Sequence, residues 1–274
     1  MLNPIEGEIF LIDKPLRWTS FEVVKKIRTR LHHHLKMKHL RVGHAGTLDP
    51  LATGVLIICT GRATKRIEQL QAGVKEYIAT LRLGATTPSF DLETEVDATM
   101  PWEHITREQV ERVLAERFTG TIEHVPPAFS ACKIDGKPAY KLARKGQEVS
   151  IRSKTLVIDE IELLECGLPE EPTLKIREVC SKGTYIRALA RDIGEALDSG
   201  AHLTSLRRTR VGEYPVDHCQ SVDQLIERLD DEVYVMPDEA EQQRIEAERL
   251  ANKKRAAAVR ARNKRLAQQS QENK

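Results

Sequence analysis

Long hydrophobic runs are absent from this sequence, since no apolar stretch reaches the roughly 18 residues needed to span a bilayer. The N-terminus also lacks the basic start and apolar stretch of a secretory signal. The cysteines number only five and form no Cys-x-x-Cys pair. This usage argues against a disulfide framework and a zinc site, and is typical of reduced thiols. We therefore expect a cytoplasmic protein with no membrane partner.

Two further absences limit the function classes. The sequence contains neither Gly-x-Ser-x-Gly nor Gly-x4-Gly-Lys-Ser/Thr, the patterns of many hydrolases and of P-loop phosphotransferases. A large charge of one sign is also missing, since the net charge is +2. From Asp238 onward there are ten Lys/Arg and six Asp/Glu, which leaves 33 basic and 35 acidic residues for positions 1–237. Any nucleic-acid binding by positions 1–237 must therefore depend on local basic patches.

The most informative segment that is present is Gly43–Leu56, Gly-His-Ala-Gly-Thr-Leu-Asp-Pro-Leu-Ala-Thr-Gly-Val-Leu. It places the carboxylate of Asp49 on a loop that turns at Gly46 and Pro50, just before an apolar run that predicts a buried strand at 55–59. An ionised carboxylate beside a core strand is costly unless a cation meets it. Asp before Pro is also a common turn signal. Asp49 is therefore either a turn cap or a residue needed for chemistry.

Hydrophobic periodicity and capping signals predict the elements around this loop. Thr19 or Ser20 is predicted to cap a helix whose apolar face includes Phe21. A capping box from Thr106 to Gln109 predicts a second helix, and a third is predicted from residue 186. Strands are predicted at 8–13, 55–59, 75–83, 155–165 and 173–180.

Three segments are rich in basic residues. Lys25–Arg41 contains seven Lys/Arg, four His and no acid, which fits a solvated face or a phosphate-contacting surface. The stretch 125–150 has turn signals and no sustained period, so it is interpreted as an ordered insertion or a long loop. Residues 249–265 carry eight basic residues and no acid, which fits either a frayed, solvated tail or an RNA-contacting arm.

Four motifs stand in this order along the chain: Ile12-Asp-Lys-Pro-x-x-Trp-Thr-Ser20, the Gly43–Leu56 loop, Lys75-Glu-Tyr77, and Ser181-Lys-Gly-Thr-Tyr-Ile-Arg187. Together they resemble the bacterial tRNA pseudouridine-55 synthases, the TruB family of pseudouridine synthases. Each of the three shorter motifs is weak evidence alone. Four of them in the family's order, over residues from about 8 to 215, are strong evidence.

The resemblance implies an α+β fold, with one mixed, largely antiparallel sheet, flanking helices and a central active-site cleft. It also implies the reaction, in which uridine 55 in the T-arm of tRNA is flipped out and converted to pseudouridine. No redox step or group transfer occurs, so no cofactor or metal is expected. We expect a monomer with a catalytic domain at 1–237 and an RNA-binding insertion at about 125–150. Residues 238–274 would be a basic helical or disordered tail instead of the C-terminal RNA-binding domain common in bacterial members.

The resemblance also implies roles for individual residues. Asp49 is expected to be the nucleophile, although attack at C1′, attack at C6 and an elimination at C2′ all remain open. Arg187 is expected to pair with Asp49, keep it ionised and aim its oxygens. Tyr77 is expected to stack on the flipped base and relay a proton. Six residues are expected to bind the substrate: His44 in the space that the flipped base leaves, Tyr185 and Leu206 at the base, and Lys14, Lys65 and Arg66 as phosphate contacts.

Two other functions compete with this interpretation. The chain could be the catalytic subunit of an RNA-guided complex, as in archaeal and eukaryotic relatives, although Pro50-Leu-Ala-Thr-Gly54 resembles the stand-alone bacterial form. It could also be a chaperone that helps tRNA to fold without chemistry. An Asp49→Asn variant separates the last alternative, because a chaperone would keep its effect and an isomerase would lose turnover.

Overall fold

The fold centres on one nine-stranded sheet in a computed structural model that describes residues 1–37, 39–130, 132–134, 137–139, 142 and 151–272. Half of the insertion expected at 125–150, including Tyr140, lies outside the described residues. The strands, numbered β1 to β13, are Ile9–Lys14, Val42–Ala45, Ala52–Thr60, Lys75–Leu83, Ala85–Thr86, Ala98–Thr99, Gly120–His124, Lys133–Ile134, Lys137–Pro138, Lys154–Cys166, Thr173–Cys180, Ala201–Val211 and Tyr214–Pro215.

Six α-helices occur in the described part of the chain. They pack on the sheet or extend from it and are numbered α1 to α6. Their bounds are Ser20–Leu35, Ile67–Ala72, Arg107–Arg117, Ile186–Ala196, Val222–Asp231 and Glu239–Glu272. The architecture is therefore α+β, as expected.

The strand order of the main sheet is β1-β3-β12-β4-β11-β10-β7, with β2 added beside β3 and β13 beside β12. Strand β12 runs parallel to β3 and antiparallel to β4. The other pairs of named strands in this sheet are antiparallel within the described residues. The sheet is therefore mixed and largely antiparallel. Because β12 joins the two halves, chain segments about 150 residues apart meet at its centre.

Strand β3 is apolar along its length because both of its faces are covered. Leu56 and Ile58 pack in a cluster with α1 and α5, whereas Val55 and Ile57 pack in a cluster on the opposite face. A third and larger cluster lies between the centre of the sheet and helices α3 and α4. Asp49 therefore stands just before the start of a strand that is held rigidly from both sides.

Most elements predicted from the sequence are confirmed. Strands β4 and β11 have the predicted bounds, and Thr106 caps α3 through the predicted box with Gln109. The predicted apolar face of α1 is confirmed at Val24, Ile27 and Leu31, but Phe21 was wrong, because it is 60% exposed and Val23 is buried instead. Helix α1 begins at Ser20, and its buried face continues from that residue at helical spacing. Within the described residues, no helix is both long and apolar enough to cross a membrane.

Candidate active site

The Asp49 loop is held in place by the N-terminal end of α1. The Ser20 hydroxyl accepts a hydrogen bond from the Leu48 backbone N–H at 2.9 Å and donates one to the Leu48 carbonyl at 3.1 Å. The Ala52 N–H donates to the Asp49 carbonyl at 3.1 Å and closes the turn. The motif that ends at Ser20 therefore clamps the Asp49 loop.

Lys14 supports the same loop from the interior of the protein. Its side chain is fully buried, and its ammonium donates to the carbonyls of Pro15 at 2.9 Å, Trp18 at 2.5 Å and Pro50 at 3.4 Å. Burial lowers the pKa of Lys14 to about 8, and the nearby charge of Asp49 opposes that shift. The phosphate contact predicted for Lys14 stays a prediction, and in the structure its ammonium faces carbonyls inside the protein.

Arg187, the second residue of α4, brings a guanidinium to the loop. Its Nε donates to Oδ2 of Asp49 at 2.8 Å, while Nη1 and Nη2 donate to the carbonyls of Ser89 at 3.0 Å and Phe129 at 2.9 Å. The Arg187 side chain is 5% exposed and the Asp49 side chain 39% exposed. The cation is thus fixed inside the protein, and it aims a carboxylate that remains open to solvent.

A second carboxyl group, that of Asp91, lies 3.6 Å from the same Arg187 Nε. The side chain of Asp91 is 8% exposed, and burial raises its pKa, with the charge of Asp49 acting in the same direction. Sequence reasoning missed Asp91, which follows Ser89-Phe90 in a turn with no periodic pattern. The only local sign is structural, because Phe90 has a φ of 61°, uncommon for a residue other than glycine.

Asp49 and Arg187 line one cavity of about 200 Å³. Leu206 of β12 also lines it, at the position opposite Ala52 and Ala79 in the sheet. Sequence reasoning missed the neighbouring cavity residues on β12 and on the loops. The full lining is Leu16, Arg17, Asp49, Leu51, Ala52, Asp91, Leu92, Arg187, Leu203, Thr204, Ser205 and Leu206.

Tyr77 lies deeper than expected for an open stacking surface. It is only 8% exposed and belongs to the same hydrophobic cluster as Leu48 and Ala52, on either side of Asp49. It does not line the cavity described above. Burial raises the pKa of Tyr77 to about 12, so its phenol is protonated at neutral pH. The stacking and proton-relay roles stay predictions.

Tyr77 is the middle of a buried row that crosses three strands. Arg208 on β12 and Glu178 on β11 both lie directly opposite Tyr77 in register, and both are nearly or fully buried. Burial raises the pKa of Glu178 to about 8, so its carboxyl is largely neutral at pH 7. Arg208 donates to the carbonyls of Val55 at 2.8 Å and Gly46 at 3.1 Å. Arg208 therefore fixes both ends of the Asp49 loop. Sequence reasoning missed this residue.

His44 and Tyr185 are both half-buried. His44 lies on β2 opposite Ile58 of β3, and burial lowers its pKa, with the charge of Arg208 acting in the same direction. Its ring is thus neutral at pH 7. Tyr185 precedes α4, and its backbone N–H donates to Nε2 of His124 at 3.2 Å while the two rings stack. Burial raises the pKa of Tyr185.

Lys65 and Arg66 do not line the Asp49 cavity. They are exposed at the end of a 3-10 helix, Gly61–Arg66, that follows β3. Because β3 begins beside Asp49 and contains nine residues, they stand roughly 26 Å along that strand from the loop. The structure therefore brings together Asp49, Arg187 and Leu206 and leaves Lys65 and Arg66 apart.

Two family models match this chain over adjacent stretches. The model of the TruB family pseudouridylate synthase N-terminal domain matches residues 32–186, and the model of the tRNA pseudouridylate synthase B C-terminal domain matches residues 187–248. The second stretch supplies β12, which lies between β3 and β4 of the first. The two matched stretches thus build one sheet and one cavity.

Curated relatives cover most of the chain. A tRNA pseudouridine synthase B of Phocaeicola vulgatus is 68% identical over 229 residues, which are 84% of this chain and 96% of that protein. One of Parabacteroides distasonis is 63% identical over 235 residues, 86% of this chain and 98% of that protein. These relatives are matched along almost their whole length.

Solved structures give a more distant likeness. The crystal structure of a Cbf5-Nop10-Gar1 complex matches at a TM-score of 0.59 with 29% identity, over 82% of this chain and 54% of that chain. The structure of an H/ACA RNP bound to a substrate RNA containing 2′-deoxyuridine matches at a TM-score of 0.58 with 28% identity and the same coverage. This chain thus spans about half the length of those structural relatives.

Proposed function

Because this chain belongs to the TruB family of pseudouridylate synthases, we propose that Asp49 is the catalytic residue with which it converts uridine 55 of tRNA to pseudouridine. The chain is a tRNA pseudouridine synthase, an isomerase. The roles assigned to individual residues below are our proposals.

One observation carries the assignment of Asp49: its carboxylate is paired at 2.8 Å with a buried guanidinium and also lines a cavity. A turn cap needs neither of these features. An Asp that caps a turn accepts a nearby backbone N–H with its side chain, whereas the Asp49 carboxylate accepts from Arg187 Nε and the turn is closed by the backbone carbonyl of Asp49, which accepts the Ala52 N–H. The side chain is therefore available for another task, and Arg187 fixes its direction.

The reaction sets four requirements for the site. The bond between N1 and C1′ breaks, the detached base turns, C5 bonds to C1′, and the proton lost from C5 is balanced by one gained at N1. A uridine inside a stacked loop must first be flipped out to expose these atoms. The enzyme therefore needs an anionic group, a cation that holds it, apolar contacts for the base and a proton acceptor or relay.

The described residues meet these requirements as follows. Asp49 is the anionic group, since each of the routes through C1′, C6 or C2′ begins with an ionised carboxylate. Arg187 fixes the direction of the Asp49 carboxylate. It also holds a second carboxyl group, that of Asp91, close by. Leu206 supplies an apolar contact from the cavity wall. Tyr77, which is protonated at neutral pH, is assigned the proton relay. His44, whose ring is neutral, is assigned to the space that the flipped base leaves.

The remaining assignments concern the RNA and the assembly. We assign Tyr185 to the substrate pocket because it lies two residues before Arg187. The catalytic unit is assigned to residues 1–237, and the insertion at about 125–150 to RNA binding. The protein is proposed to act as a monomer in the cytoplasm, on the T-arm of tRNA and without a guide RNA. The relatives matched along almost their whole length support this assignment over the RNA-guided alternative.

The test is incubation with an unmodified tRNA transcript, followed by mapping of pseudouridine. We expect one modified site, uridine 55, and a loss of turnover of at least about 1,000-fold in Asp49→Asn, because a required catalytic group is removed. Asp159→Asn, which changes an exposed aspartate on β10, is the matched control and should retain full activity.

Each other outcome has a definite meaning. Full turnover by Asp49→Asn would refute the catalytic assignment. Modification at a different uridine would reject the substrate site while keeping the enzyme class. A tRNA-folding effect that survives Asp49→Asn would identify a separate chaperone activity.

A further inference from the structure

The C-terminal helix α6 has two halves of opposite charge. Residues 239–248 contain four glutamates and one arginine, whereas residues 249–265 contain eight Lys/Arg and no acid. We call the first stretch the root and the second the basic arm. The family match ends at residue 248, so the basic arm lies outside the part of the chain that the family describes.

The root is fixed to the body of the protein. Ile245 packs against the cluster that contains Ile5 and Leu40. Glu246 lies 3.5 Å from His39, and Glu248 lies 3.4 Å from Arg41. The acidic half therefore docks on the basic segment after α1, and this contact sets the position from which the basic arm starts.

The basic arm itself touches little. Its described side chains are exposed, and beyond Arg249, which pairs with Glu246 at 2.8 Å, none of them forms an ion pair within the described part of the chain. At 1.5 Å per residue the arm is roughly 24 Å long, so it carries about one positive charge every 3 Å. Like charges also recur at helical neighbours, as in Arg249 with Lys253 and Arg262 with Arg265, where they repel one another.

The arm has no apolar stripe that suits a protein core or a membrane. Leu250 and Val259, its two large apolar side chains among the described ones, are 52% and 56% exposed. They are nine positions apart, which places them on opposite sides of a helix. A membrane-surface helix needs a continuous apolar face. The chemistry that matches a rod charged on every side is a polyanion.

We propose that the basic arm, residues 249–265, binds the phosphate backbone of the tRNA substrate. The inference rests on the proposed function, since it takes tRNA as the polyanion. Phosphates between the arm's charges would relieve their mutual repulsion and release counterions from the RNA. The arm carries no base-reading pattern, so it adds affinity and leaves the choice of uridine to the cavity.

The surface at the root extends this basic region. A shallow depression there is lined by Arg41, Arg62, Lys65 and Arg244. Arg41 and Arg62 are paired with glutamates at 3.4 and 2.6 Å. Lys65, predicted from the sequence to contact phosphate, has no ion pair among the described residues and lies beside the start of the arm. It is therefore placed to contact the same backbone.

The experiment compares two triple variants of the full chain. The arm variant is Lys253→Gln/Lys254→Gln/Arg260→Gln, and the matched control, Arg107→Gln/Arg112→Gln/Arg117→Gln, removes three exposed arginines from α3. Equilibrium binding of unmodified tRNA is measured from 50 to 200 mM KCl, together with steady-state kinetics. Glutamine is chosen because it keeps helix propensity while removing charge.

We expect the arm variant to bind tRNA about tenfold more weakly at 100 mM KCl, with the slope of log Kd against log[KCl] reduced by about 2. KM should rise while kcat at saturating tRNA stays within about twofold, and the control should match the unmodified chain. Equal Kd and slope in all three proteins would overturn the proposal, and so would equal weakening in arm and control variants. Tighter binding of the unmodified chain to anionic phosphatidylserine vesicles than to tRNA would also overturn it.

These readouts separate the inference from the function it rests on. Binding is measured without turnover, so a failure of the unmodified chain to form pseudouridine would refute the proposed function alone. Normal pseudouridine formation with an unchanged Kd in the arm variant would refute the arm alone.

Discussion

Arg187 is the residue on which the candidate site depends most. All of its guanidinium nitrogens are engaged, one with Asp49 and the other two with the carbonyls of Ser89 and Phe129. A lysine would present its N–H groups from a single nitrogen, whereas the three nitrogens of the planar guanidinium reach partners in three separate directions. The arginine therefore supplies geometry as well as charge, and it does so from a buried position.

Glu178 presents a different residue-scale problem, since its carboxyl is fully buried and its Oε2 has no hydrogen-bond partner among the described residues. Its pKa rises from 4.5 to about 8 in the folded protein. The folded state then binds more protons than the unfolded state between these values. The stability contributed by this group is fully present below pH 4.5 and is lost as the pH rises through about 8.

We predict that Glu178→Gln becomes progressively more stable than the unmodified chain between pH 5 and pH 8. The difference in free energy of unfolding between the two proteins should widen by up to about 1.4 kcal/mol per pH unit, because glutamine fills the same space without ionising. Urea unfolding at pH 5.5, 7 and 8.5 measures it. Glu116→Gln, an exposed residue on α3, should show no such trend, and a gap for Glu178→Gln that does not change with pH would contradict the prediction.

At the scale of elements, the Asp49 loop takes its shape from the helix and strands packed against it. The start of α1 binds Leu48 through Ser20, β1 ends with Lys14 under Pro50, and β12 contributes Arg208. The loop contains two turn residues but makes few hydrogen bonds within itself. Its conformation is therefore a property of the packed elements, which explains why distant motifs accompany it in the sequence.

We predict that Ser20→Ala lowers kcat by about tenfold or more, since the Asp49 loop loses its clamp and small displacements of a catalytic group are costly. It should also destabilise the fold by roughly 1–3 kcal/mol, because the buried N–H and carbonyl of Leu48 lose their partner. The control is Ser221→Ala, which removes the cap of α5 and costs about 1 kcal/mol of stability.

Steady-state kinetics and thermal unfolding of both serine variants separate an effect on kcat from an effect on stability. The control should lose stability and keep its kcat. Equal kcat values in the two variants would mean that Ser20 serves the fold alone.

At the scale of the whole molecule, two distant parts of the chain approach closely where β3 and β12 run side by side. Gly54 has a φ of 102°, and a Cβ added there would stand 2.1 Å from the backbone oxygen of Arg208. Both atoms belong to rigid strands, so neither can move aside. The parallel pairing that joins the two halves of the sheet therefore requires glycine at this position.

We predict that Gly54→Ala destabilises the protein by roughly 3 kcal/mol or more, from backbone strain together with overpacking. Gly120→Ala is the matched control, since Gly120 has a φ of 86° but nothing within 4 Å of the added Cβ. It should lose only about 1–2 kcal/mol, the cost of the left-handed conformation. Chemical denaturation compares the two, and equal losses would show that the close approach does not matter.

The sequence by itself determined the local elements and one catalytic candidate. Strands β4 and β11 and the cap at Thr106 followed from periodicity and side-chain capping, which act between residues a few positions apart. Asp49 stood out because its loop is an unusual local pattern, and the family resemblance carried by the four motifs implied the pairing with Arg187.

Only the tertiary structure decided what surrounds these residues. Arg208 and Glu178 are brought beside Tyr77 by pairings between strands distant in the chain, and Asp91 reaches Arg187 from a turn. No local pattern marks such contacts. The same is true of the burial of Lys14, which makes it a support for the loop. Burial and charge pairing are fixed by packing across the whole sheet, and a linear pattern carries no direct record of which strands become neighbours.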